Sequence, residues 1–467
     1  MEKCRYIAVT DINPGHFPWA EKDDIQSLVR LLLYSNEIDI EGIILCSSCF
    51  LKHGGGSGAV KIVERMLDAY ESVKPNLDRH AAGYPSAETL RQCVHLGISA
   101  FGEALGNGFG EEKYNSNPGV QCILAALEKE DPRPLWVGLW GGANTLAQAL
   151  WQISRTKSGE ETKRLLSRLR IHAISDQDNS AKWIRQNFGS DLFYIVTPSN
   201  GTTAGTKEYC RAVWPGISAD TNGHGSEDGI HGGGFSGADT SLISKRWIRE
   251  HIRSRGALGK QYPKTVFIME GDTPAFLGLI PNGLNVPERP DYGGWSGRYR
   301  RVVSPENTTI WSGDADSVSG NDGKIHHSPQ ASLWRWRSDF QYDFAARMEW
   351  TVTDSFEEGS HPPVVKLKQP QYQAVRVGET VTLDASDSFS SDGAPLSYRW
   401  FWYSEAGTGG VPGALSRDNA PSTTVTFSSA GTYHLILQVT GARKLPLRRY
   451  QRIVFEVSDE IGGRLPL

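Results

Sequence analysis

The sequence predicts an α/β domain with a mostly parallel open sheet, followed by an all-β sandwich. From residue 5 to about 355, short apolar runs alternate with amphipathic helical segments, which is typical of a parallel sheet covered on both faces. Near residue 359 the pattern changes to strand-length segments in which apolar and polar residues alternate. We therefore predict two domains, at residues 1–358 and 359–467.

The composition supports packed globular domains. The chain has 467 residues, of which 39% are hydrophobic and 22% are charged, so disorder as the main state is excluded. Its 49 Lys and Arg residues against 53 Asp and Glu residues give a net charge of −4, which predicts no attraction to nucleic acids or anionic membranes. No run approaches the ~20 apolar residues of a membrane helix. The N-terminus lacks a signal-peptide core, which predicts a cytoplasmic protein, or a secreted one if a leader was removed.

The first elements follow from local periodicity. Tyr6–Val9 reads as a strand, and the apolar residues of the next segment have the i, i+3, i+4, i+7 spacing of one helical face. Ile43–Leu45 is the next strand. Leu135–Leu139, followed by Gly141 and Gly142 and a second amphipathic segment, repeats the order of strand, turn and helix. Three further strand candidates are Leu169–Ile174, Leu192–Val196 and Thr265–Met269.

Acidic residues follow several of these strands. Asp11 comes directly after the first strand, and Asp23 and Asp24 open the following helix. Two more groups are Asp176–Asn179 and Glu270–Asp272. Open parallel sheets bind ligands beyond the carboxyl ends of their strands. One such residue alone can be a cap or a turn former, but several carboxylates meeting at one edge need a hard cation, and oxygen ligands favour Ca²⁺ or Mg²⁺.

Other residue types give weaker signals. The six cysteines are too few for a disulfide scaffold, and the close pair Cys46 and Cys49 lacks zinc-ligand spacing, which favours reduced or structural thiols. Among the 14 tryptophans, Trp295 is a candidate for stacking on a sugar, with core packing as the alternative.

Several of these segments resemble a known family. The resemblance lies in Val9–Asp11, Asp23–Glu37, Trp140–Leu150, Glu270–Pro274, Gly293–Trp295, Gly378–Ala385 and Leu396–Trp400. The chain is similar, over nearly its whole length, to a proposed cellulose-binding family with a nucleoside-hydrolase-like N-terminal domain and an immunoglobulin-like C-terminal domain. The resemblance therefore implies a sheet of nucleoside-hydrolase type followed by an immunoglobulin-like sandwich.

The resemblance also implies a site. Nucleoside hydrolases bind Ca²⁺ through N-terminal aspartates, a backbone carbonyl after a central strand, and a late aspartate. The implied ligands of Ca²⁺, or alternatively Mg²⁺, are Asp11, Asp24, the Trp140 carbonyl and Asp272. The predicted catalytic residues are Asp11, as the base that activates water, and Glu270. The predicted substrate contacts are Glu21, Asp23, Asp176, Asp178, Asn179 and Trp295.

The sequence departs from the nucleoside-hydrolase pattern. Val9 replaces the first aspartate of the motif, and the insertion Asn13–Ala20 separates Asp11 from the later acidic residues. The late His-Asp pair, whose histidine assists the leaving base, is Gly271–Asp272 here, and the substrate-binding asparagine falls near Cys49. These departures predict a retained metal site without purine or pyrimidine recognition.

Three functions are consistent with these features. The leading hypothesis is a nucleoside-hydrolase-like enzyme that uses a carboxylate-bound divalent cation on a glycosidic or related polar small molecule. The alternatives are a non-catalytic carbohydrate-binding protein and a scaffold recruited to a non-hydrolytic biosynthetic step. The expected partner is a small-molecule or carbohydrate substrate, and a homo-oligomer is possible because nucleoside hydrolases assemble.

Overall fold

The computed structural model describes residues 2–13, 21–196, 217, 237–265 and 268–459. In chain order, the strands of its N-terminal part are β1 (Cys4–Thr10), β2 (Ile38–Leu45), β3 (Val94–Leu96), β4 (Ala104–Leu105), β5 (Gly108–Phe109), β6 (Leu135–Leu139), β7 (Leu169–Ala173), β8 (Phe193–Ile195), β9 (Tyr299–Val303), β10 (Thr309–Gly313), β11 (Asp316–Ser319) and β12 (Ile325–Ser328). The helices are α1 (Lys22–Leu33), α2 (Ser57–His80), α3 (Ala87–Gln92), α4 (Pro118–Glu128), α5 (Asn144–Thr156), α6 (Gly159–Ser167), α7 (Ser180–Phe188), α8 (Lys245–Ile248), α9 (Gly256–Gln261), α10 (Pro274–Leu277), α11 (Pro329–Trp334) and α12 (Arg337–Trp350).

One eight-stranded sheet organises this part of the molecule, in the order β3-β2-β1-β6-β7-β8-β10-β9. All neighbouring strands are parallel except β9, which runs antiparallel to β10. The mostly parallel sheet predicted from the sequence is therefore confirmed. The candidate strand Thr265–Met269 is not, because no described strand spans it; Val266 and Phe267 lie outside the described residues.

The sheet is covered on both faces because its strands are apolar on both sides. Along β1, Tyr6 and Ala8 contribute to one hydrophobic core, whereas Ile7 and Val9 contribute to the core on the opposite face. Burial on both sides explains why these strands read as continuous apolar runs rather than as an alternating pattern.

The C-terminal part is all-β, as predicted. Its strands are β13 (Tyr372–Arg376), β14 (Thr380–Asp384), β15 (Leu396–Trp402), β16 (Ser422–Thr426), β17 (Gly431–Ala442) and β18 (Pro446–Ser458). They form a four-stranded sheet, β13-β18-β17-β15, and an antiparallel pair, β14-β16. Leu383 from the pair and Trp400 from the larger sheet share a separate hydrophobic core. No described strand after residue 359 joins the eight-stranded sheet, and the boundary at residue 359 stays a prediction.

The two parts pack closely. Trp336, just before α12, lies with its ring centroid 5.8 Å from that of Tyr403 and 5.9 Å from that of Tyr450. On α12, Asp339 accepts a hydrogen bond from the Tyr450 hydroxyl, and Asp343 accepts one from Arg449 at 2.6 Å. The larger C-terminal sheet is therefore buried on both faces, one of them against α12.

Two further expectations concern membranes and thiols. Among the described residues, no helix combines the length and the apolar character that a membrane span requires. Cys4, Cys46, Cys93 and Cys122 are free thiols.

Candidate carboxylate site

A group of acidic side chains lies beyond the carboxyl end of β1. Asp11 follows β1 directly, Glu21 immediately precedes α1, and Asp23 and Asp24 lie in the first turn of α1. Ligand atoms of Glu21, Asp23 and Asp24 lie within 4.8 Å of one another. Asp272, just before α10, belongs to the same group. These five side chains, Asp11, Glu21, Asp23, Asp24 and Asp272, are called the carboxylate site below.

Their effects on one another show that the five carboxylates are close together. Burial raises the pKa of Asp272 well above its ordinary value, and Asp24, Asp23, Asp11 and Glu21 raise it further. Burial raises the pKa of Asp11 to about 7, with Asp23 adding to the shift and the Ser48 hydrogen bond opposing it. Three strand or helix ends that are distant in sequence therefore share one electrostatic environment.

The site is buried on one side and open on the other. Asp11, Asp24 and Asp272 are each 2% exposed, whereas Glu21 and Asp23 are partly exposed. Among the described residues, no lysine, arginine or histidine forms an ion pair with any carboxylate of this site. Buried carboxylates without a positive partner are costly, so this arrangement suits a ligand that brings positive charge.

Two hydroxyl groups that the sequence reading missed orient the site. The Ser48 hydroxyl donates a hydrogen bond to Asp11 Oδ2, and the Thr10 hydroxyl donates one to Asp24 Oδ1. Thr10 is the last residue of β1, and Ser48 lies three residues beyond the end of β2. The sequence signal available for both residues was a serine or threonine just beyond the carboxyl end of a predicted strand.

Two glycines permit the close approach of backbone and carboxylates. A Cβ atom at Gly141 would lie 2.9 Å from Asp11 Oδ1, and one at Gly271 would lie 2.3 Å from Asp23 Oδ2. A side chain at either position would displace the carboxylate. Gly271 therefore leaves no room, in this conformation, for the histidine that nucleoside hydrolases carry at the corresponding position.

The Trp140 carbonyl is the predicted backbone ligand, and it follows β6. It accepts a hydrogen bond from Gln177 Nε2 at 2.6 Å and retains a second lone pair. Gln177 Oε1 and Asp272 Oδ2 are both buried and have no hydrogen-bond partner in the described part of the chain. These candidate ligand atoms are all carboxylate, carbonyl or amide oxygens. Such a set of ligands fits a hard divalent cation such as Ca²⁺ or Mg²⁺.

Asp178 and Asn179 lie beyond β7. Asp178 Oδ1 accepts hydrogen bonds from the Ser180 and Ala181 amides at 3.0 and 3.4 Å, and burial raises the pKa of Asp178 to about 6. Asn179 donates to the Glu103 carbonyl at 2.6 Å. Asp178 Oδ2 and Asn179 Oδ1 are buried and have no hydrogen-bond partner among the described residues.

Hydrogen-bond donors surround Glu270, a predicted catalytic residue. Its carboxylate is fully buried. Arg30 donates to both of its oxygens, at 2.5 and 3.0 Å, while Tyr262 and Thr273 donate at 2.8 and 2.7 Å. Four donors occupy the four lone-pair positions of a carboxylate, so Glu270 has no position left for a reacting group.

Two predicted substrate contacts, Asp176 and Trp295, are held by other side chains of the protein. Asp176 is held by Arg185 through two hydrogen bonds of 2.8 and 2.7 Å, and both side chains are buried. Trp295 is 0% exposed and packs edge-on against Phe340 in the hydrophobic core. In this conformation Asp176 is paired with Arg185 and Trp295 belongs to the core, and the substrate contacts of both residues stay a prediction.

Two departures from the nucleoside-hydrolase pattern are the insertion Asn13–Ala20 and Cys49. Of the insertion Asn13–Ala20, residues 14–20 lie outside the described residues. The Cys49 amide donates to the Gln177 carbonyl at 2.8 Å, so the segment that holds Cys49 does lie beside the residues that follow β7.

Comparisons with known proteins agree with this architecture. Residues 5–299 match a family model described as "Cellulose-binding Sde182, nucleoside hydrolase-like domain", and residues 380–457 match "Cellulose-binding protein Sde0182, C-terminal domain". No curated protein matches the chain.

Among solved structures, the chain is similar to a nucleoside hydrolase-related hypothetical protein from Saccharophagus degradans that is associated with carbohydrate metabolism. The two chains are 30% identical with a TM-score of 0.78, and the match covers 98% of this chain and 100% of the other. The PKD domain from KIAA 1837 protein matches 21% of this chain and 92% of its own, at 23% identity, but a TM-score of 0.16 is too low to carry an argument.

Proposed function

The chain belongs to the family of cellulose-binding Sde182 proteins with a nucleoside hydrolase-like domain, and from this premise we propose that it is a cation-dependent hydrolase of glycosidic bonds. The proposed substrate is a carbohydrate or a related polar small molecule. The observation that carries the proposal is the carboxylate site: five acidic side chains converge on it, and no described basic side chain neutralises them.

The cation would be held by Asp11, Asp24, Asp272 and the Trp140 carbonyl, with Ca²⁺ favoured over Mg²⁺ because Ca²⁺ accepts more oxygen ligands in less regular geometry. When bound, it would polarise a water molecule and offset the mutual repulsion of the carboxylates. The unpartnered Asp272 Oδ2 supports this assignment, since a buried oxygen without a donor is costly.

The protein side chains have separate roles in the proposed reaction. Asp11 accepts a proton from the attacking water, because it would hold the same cation that polarises that water. Asp23 and Glu21, at the open side of the site, accept hydrogen bonds from substrate hydroxyls. Asp178 Oδ2 and Asn179 Oδ1 are further acceptors for hydroxyls.

Ordinary nucleosides should be poor substrates. A histidine that protonates a departing base has no counterpart at Gly271, where a Cβ atom would meet both Asp23 Oδ2 at 2.3 Å and Ile268 Cδ1 at 2.6 Å. Loss of general-acid assistance costs about 10²–10⁴ in rate. Nitrophenyl glycosides, whose leaving group departs without a proton, should therefore react faster than inosine or uridine.

The test combines product analysis with calcium titration. The protein, freed of metal by a chelator, is incubated with nitrophenyl glycosides, cello-oligosaccharides, inosine and uridine, with and without Ca²⁺. We expect Ca²⁺-dependent release of sugar from a glycoside, slow turnover of both nucleosides, and no release by the isosteric variant Asp11→Asn. Rapid inosine turnover would contradict the proposed substrate class, and hydrolysis unaffected by chelation would contradict the role of the cation.

A non-catalytic carbohydrate-binding protein is the second candidate. The family description favours it, because that description names cellulose binding as a property and nucleoside hydrolase only as a likeness of the domain. Retention of the protein on cellulose, without product from any glycoside and with equal retention of Asp11→Asn, would support binding over catalysis.

A further inference from the structure

We propose that Arg30 and Glu270 form a positioning pair that fixes where Asp272 enters the carboxylate site. The inference rests on the proposed function, because it assigns these residues a role toward the proposed cation ligands. It also explains why an acidic residue two positions before Asp272 is fully buried and saturated with donors rather than open to a substrate.

The backbone at Glu270 adopts an unusual conformation. Its φ angle is +51°, in the left-handed region that residues with a side chain rarely occupy. Among the described non-glycine residues, only Asn307 shares a positive φ angle, and asparagine tolerates this region better than glutamate. Such a conformation persists only where the surrounding contacts enforce it.

The contacts that enforce it come largely from one face of α1. Gln26 Oε1 accepts a hydrogen bond from the Glu270 amide at 2.9 Å, and Arg30 holds the Glu270 carboxylate through two hydrogen bonds. Asp23, Gln26 and Arg30 follow one another at i, i+3 and i+7, which places them on the same side of the helix. One rigid helix therefore carries Asp23 of the carboxylate site and also anchors the Glu270 backbone and side chain.

Arg30 is itself fixed from a third direction. Its guanidinium donates to the Phe340 carbonyl at 3.1 Å and to Gln341 Oε1 at 2.5 Å, and it lies 3.8 Å from the centroid of the Phe344 ring. All these partners belong to α12. The arginine is thus held by α12 as well as by Glu270, so both ends of the pair are anchored in the fold.

The anchored loop leaves little freedom for Asp272. Thr273, the next residue, donates its hydroxyl to Glu270 Oε2 at 2.7 Å, and its amide donates to the Glu270 carbonyl at 3.2 Å. Gly271 passes so close to Asp23 that a Cβ atom would lie 2.3 Å from the carboxylate. A shift of this turn would therefore move Asp272 relative to Asp23 and Asp24 and would separate the proposed ligands.

The first test is Glu270→Gly in the full chain. Glycine tolerates a φ angle of +51°, so this substitution removes the anchor without adding backbone strain. Calorimetric titration of the metal-free protein with Ca²⁺ should show affinity at least tenfold weaker than that of the wild type. Glu270→Gln, which keeps the side-chain shape, should weaken affinity in the same direction and serves if the glycine variant does not fold.

The matched control is Asp316→Asn. Asp316 is also fully buried and accepts hydrogen bonds from Arg298, Arg335 and Tyr403, each at 2.7 Å, outside the carboxylate site. We expect this variant to lower the melting temperature but to bind Ca²⁺ within twofold of the wild type. If both variants weakened Ca²⁺ binding equally, the effect at Glu270 would be general destabilisation, and the positioning role would be overturned.

A crystal structure of the metal-free Glu270→Gly variant separates this inference from the proposed function. Displacement of Asp272 from its place beside Asp24 supports the positioning role even if the wild-type protein binds no Ca²⁺, a result that would refute the cation-dependent function alone. Asp272 in its wild-type position, or wild-type Ca²⁺ affinity in the variant, would overturn the positioning role.

Discussion

Two groups of buried carboxylates in this protein differ in their partners. In the carboxylate site, burial raises the pKa of Asp11 to about 7 and no described basic side chain opposes it. At the contact between the two parts of the chain, Asp343 is equally buried, yet its pKa falls to about 2, because Arg449 and Arg347 outweigh the effect of burial. Their guanidinium groups lie 2.6 and 3.0 Å from the Asp343 oxygens.

The role of a buried acid depends on whether the chain supplies a positive partner for it. Taking a carboxylate out of water is unfavourable in both places, so each needs compensation. At Asp343 the chain supplies the positive charge itself, which joins α12 to β18. In the carboxylate site the described chain supplies none, and we infer that a ligand does.

The largest expected effect follows from removing one carboxylate of the site. Asp11→Ala, Asp24→Ala and Asp272→Ala should each abolish hydrolysis and weaken Ca²⁺ binding at least a hundredfold, because a cation site with one ligand fewer loses both charge and geometry. The folded state should survive, since the remaining carboxylates repel each other less. Metal content and circular dichroism of the three variants measure both properties. A variant that keeps full activity would contradict the inference that the carboxylate site needs a bound cation.

The opposite result is expected at the contact between the two parts. Asp343→Ala should reduce the free energy of unfolding by about 3 kcal/mol, the lower end of the range for breaking a buried pair, because Arg449 loses its carboxylate at 2.6 Å while Arg347 keeps Glu37 at 2.5 Å. Urea denaturation measures this loss. Calcium affinity of the folded variant should equal that of the wild type; a marked decrease would show that the two carboxylate groups are coupled.

Calcium itself should stabilise the wild-type protein. At a free concentration of 100 times the dissociation constant, a ligand that binds only the folded state adds about 2.7 kcal/mol to the free energy of unfolding. Melting curves with Ca²⁺ and with a chelator test this. The shift should disappear in Asp11→Ala and persist in Asp343→Ala. A wild-type protein whose melting temperature ignores both additions would refute the assigned role of the carboxylate site.

A smaller effect is expected from a buried histidine pair near the predicted domain boundary. His80 Nδ1 lies 3.1 Å from His361 Nε2, and burial, with His80 adding to it, lowers the pKa of His361 to about 4. A histidine whose folded-state pKa lies below its unfolded value stabilises the fold above that unfolded value, and this stability is lost as the pH falls. We expect this contribution to lower the melting temperature between about pH 6.5 and pH 4, against the opposite contribution of Asp11, whose raised pKa favours folding as the pH falls.

The variant His361→Phe tests the histidine prediction. Phenylalanine preserves an aromatic ring beside Phe356, whose ring centroid lies 3.7 Å from that of His361, but it cannot take up a proton. The decrease in melting temperature on acidification should become smaller in this variant. An unchanged decrease would assign the pH dependence to other groups.

Local sequence patterns predicted much of the fold. Leu135–Leu139 is a strand with the predicted bounds, and Asp11 follows β1 as predicted. Strand and helix periodicities depend on neighbours within a few residues, so a single sequence carries them. At Thr265–Met269 an apolar run resembles a buried strand, but Val266 and Phe267 lie outside the described residues and this strand stays a prediction.

Contacts between distant parts of the chain decide which acidic residues are available to a ligand. Glu270 and Asp272 look alike in the sequence, as acids after one apolar run, but Arg30, 240 residues earlier, neutralises only Glu270. Asp176 and Asp178 differ in the same way, since Arg185 pairs with Asp176 and Glu306 and not with Asp178. The sequence by itself determined where several strands and helices lie along the chain and which acidic residues follow them, because both depend on short-range periodicity. Only the folded chain decided which of those acids have a positive partner, because charge pairing acts through space between residues that are distant in sequence.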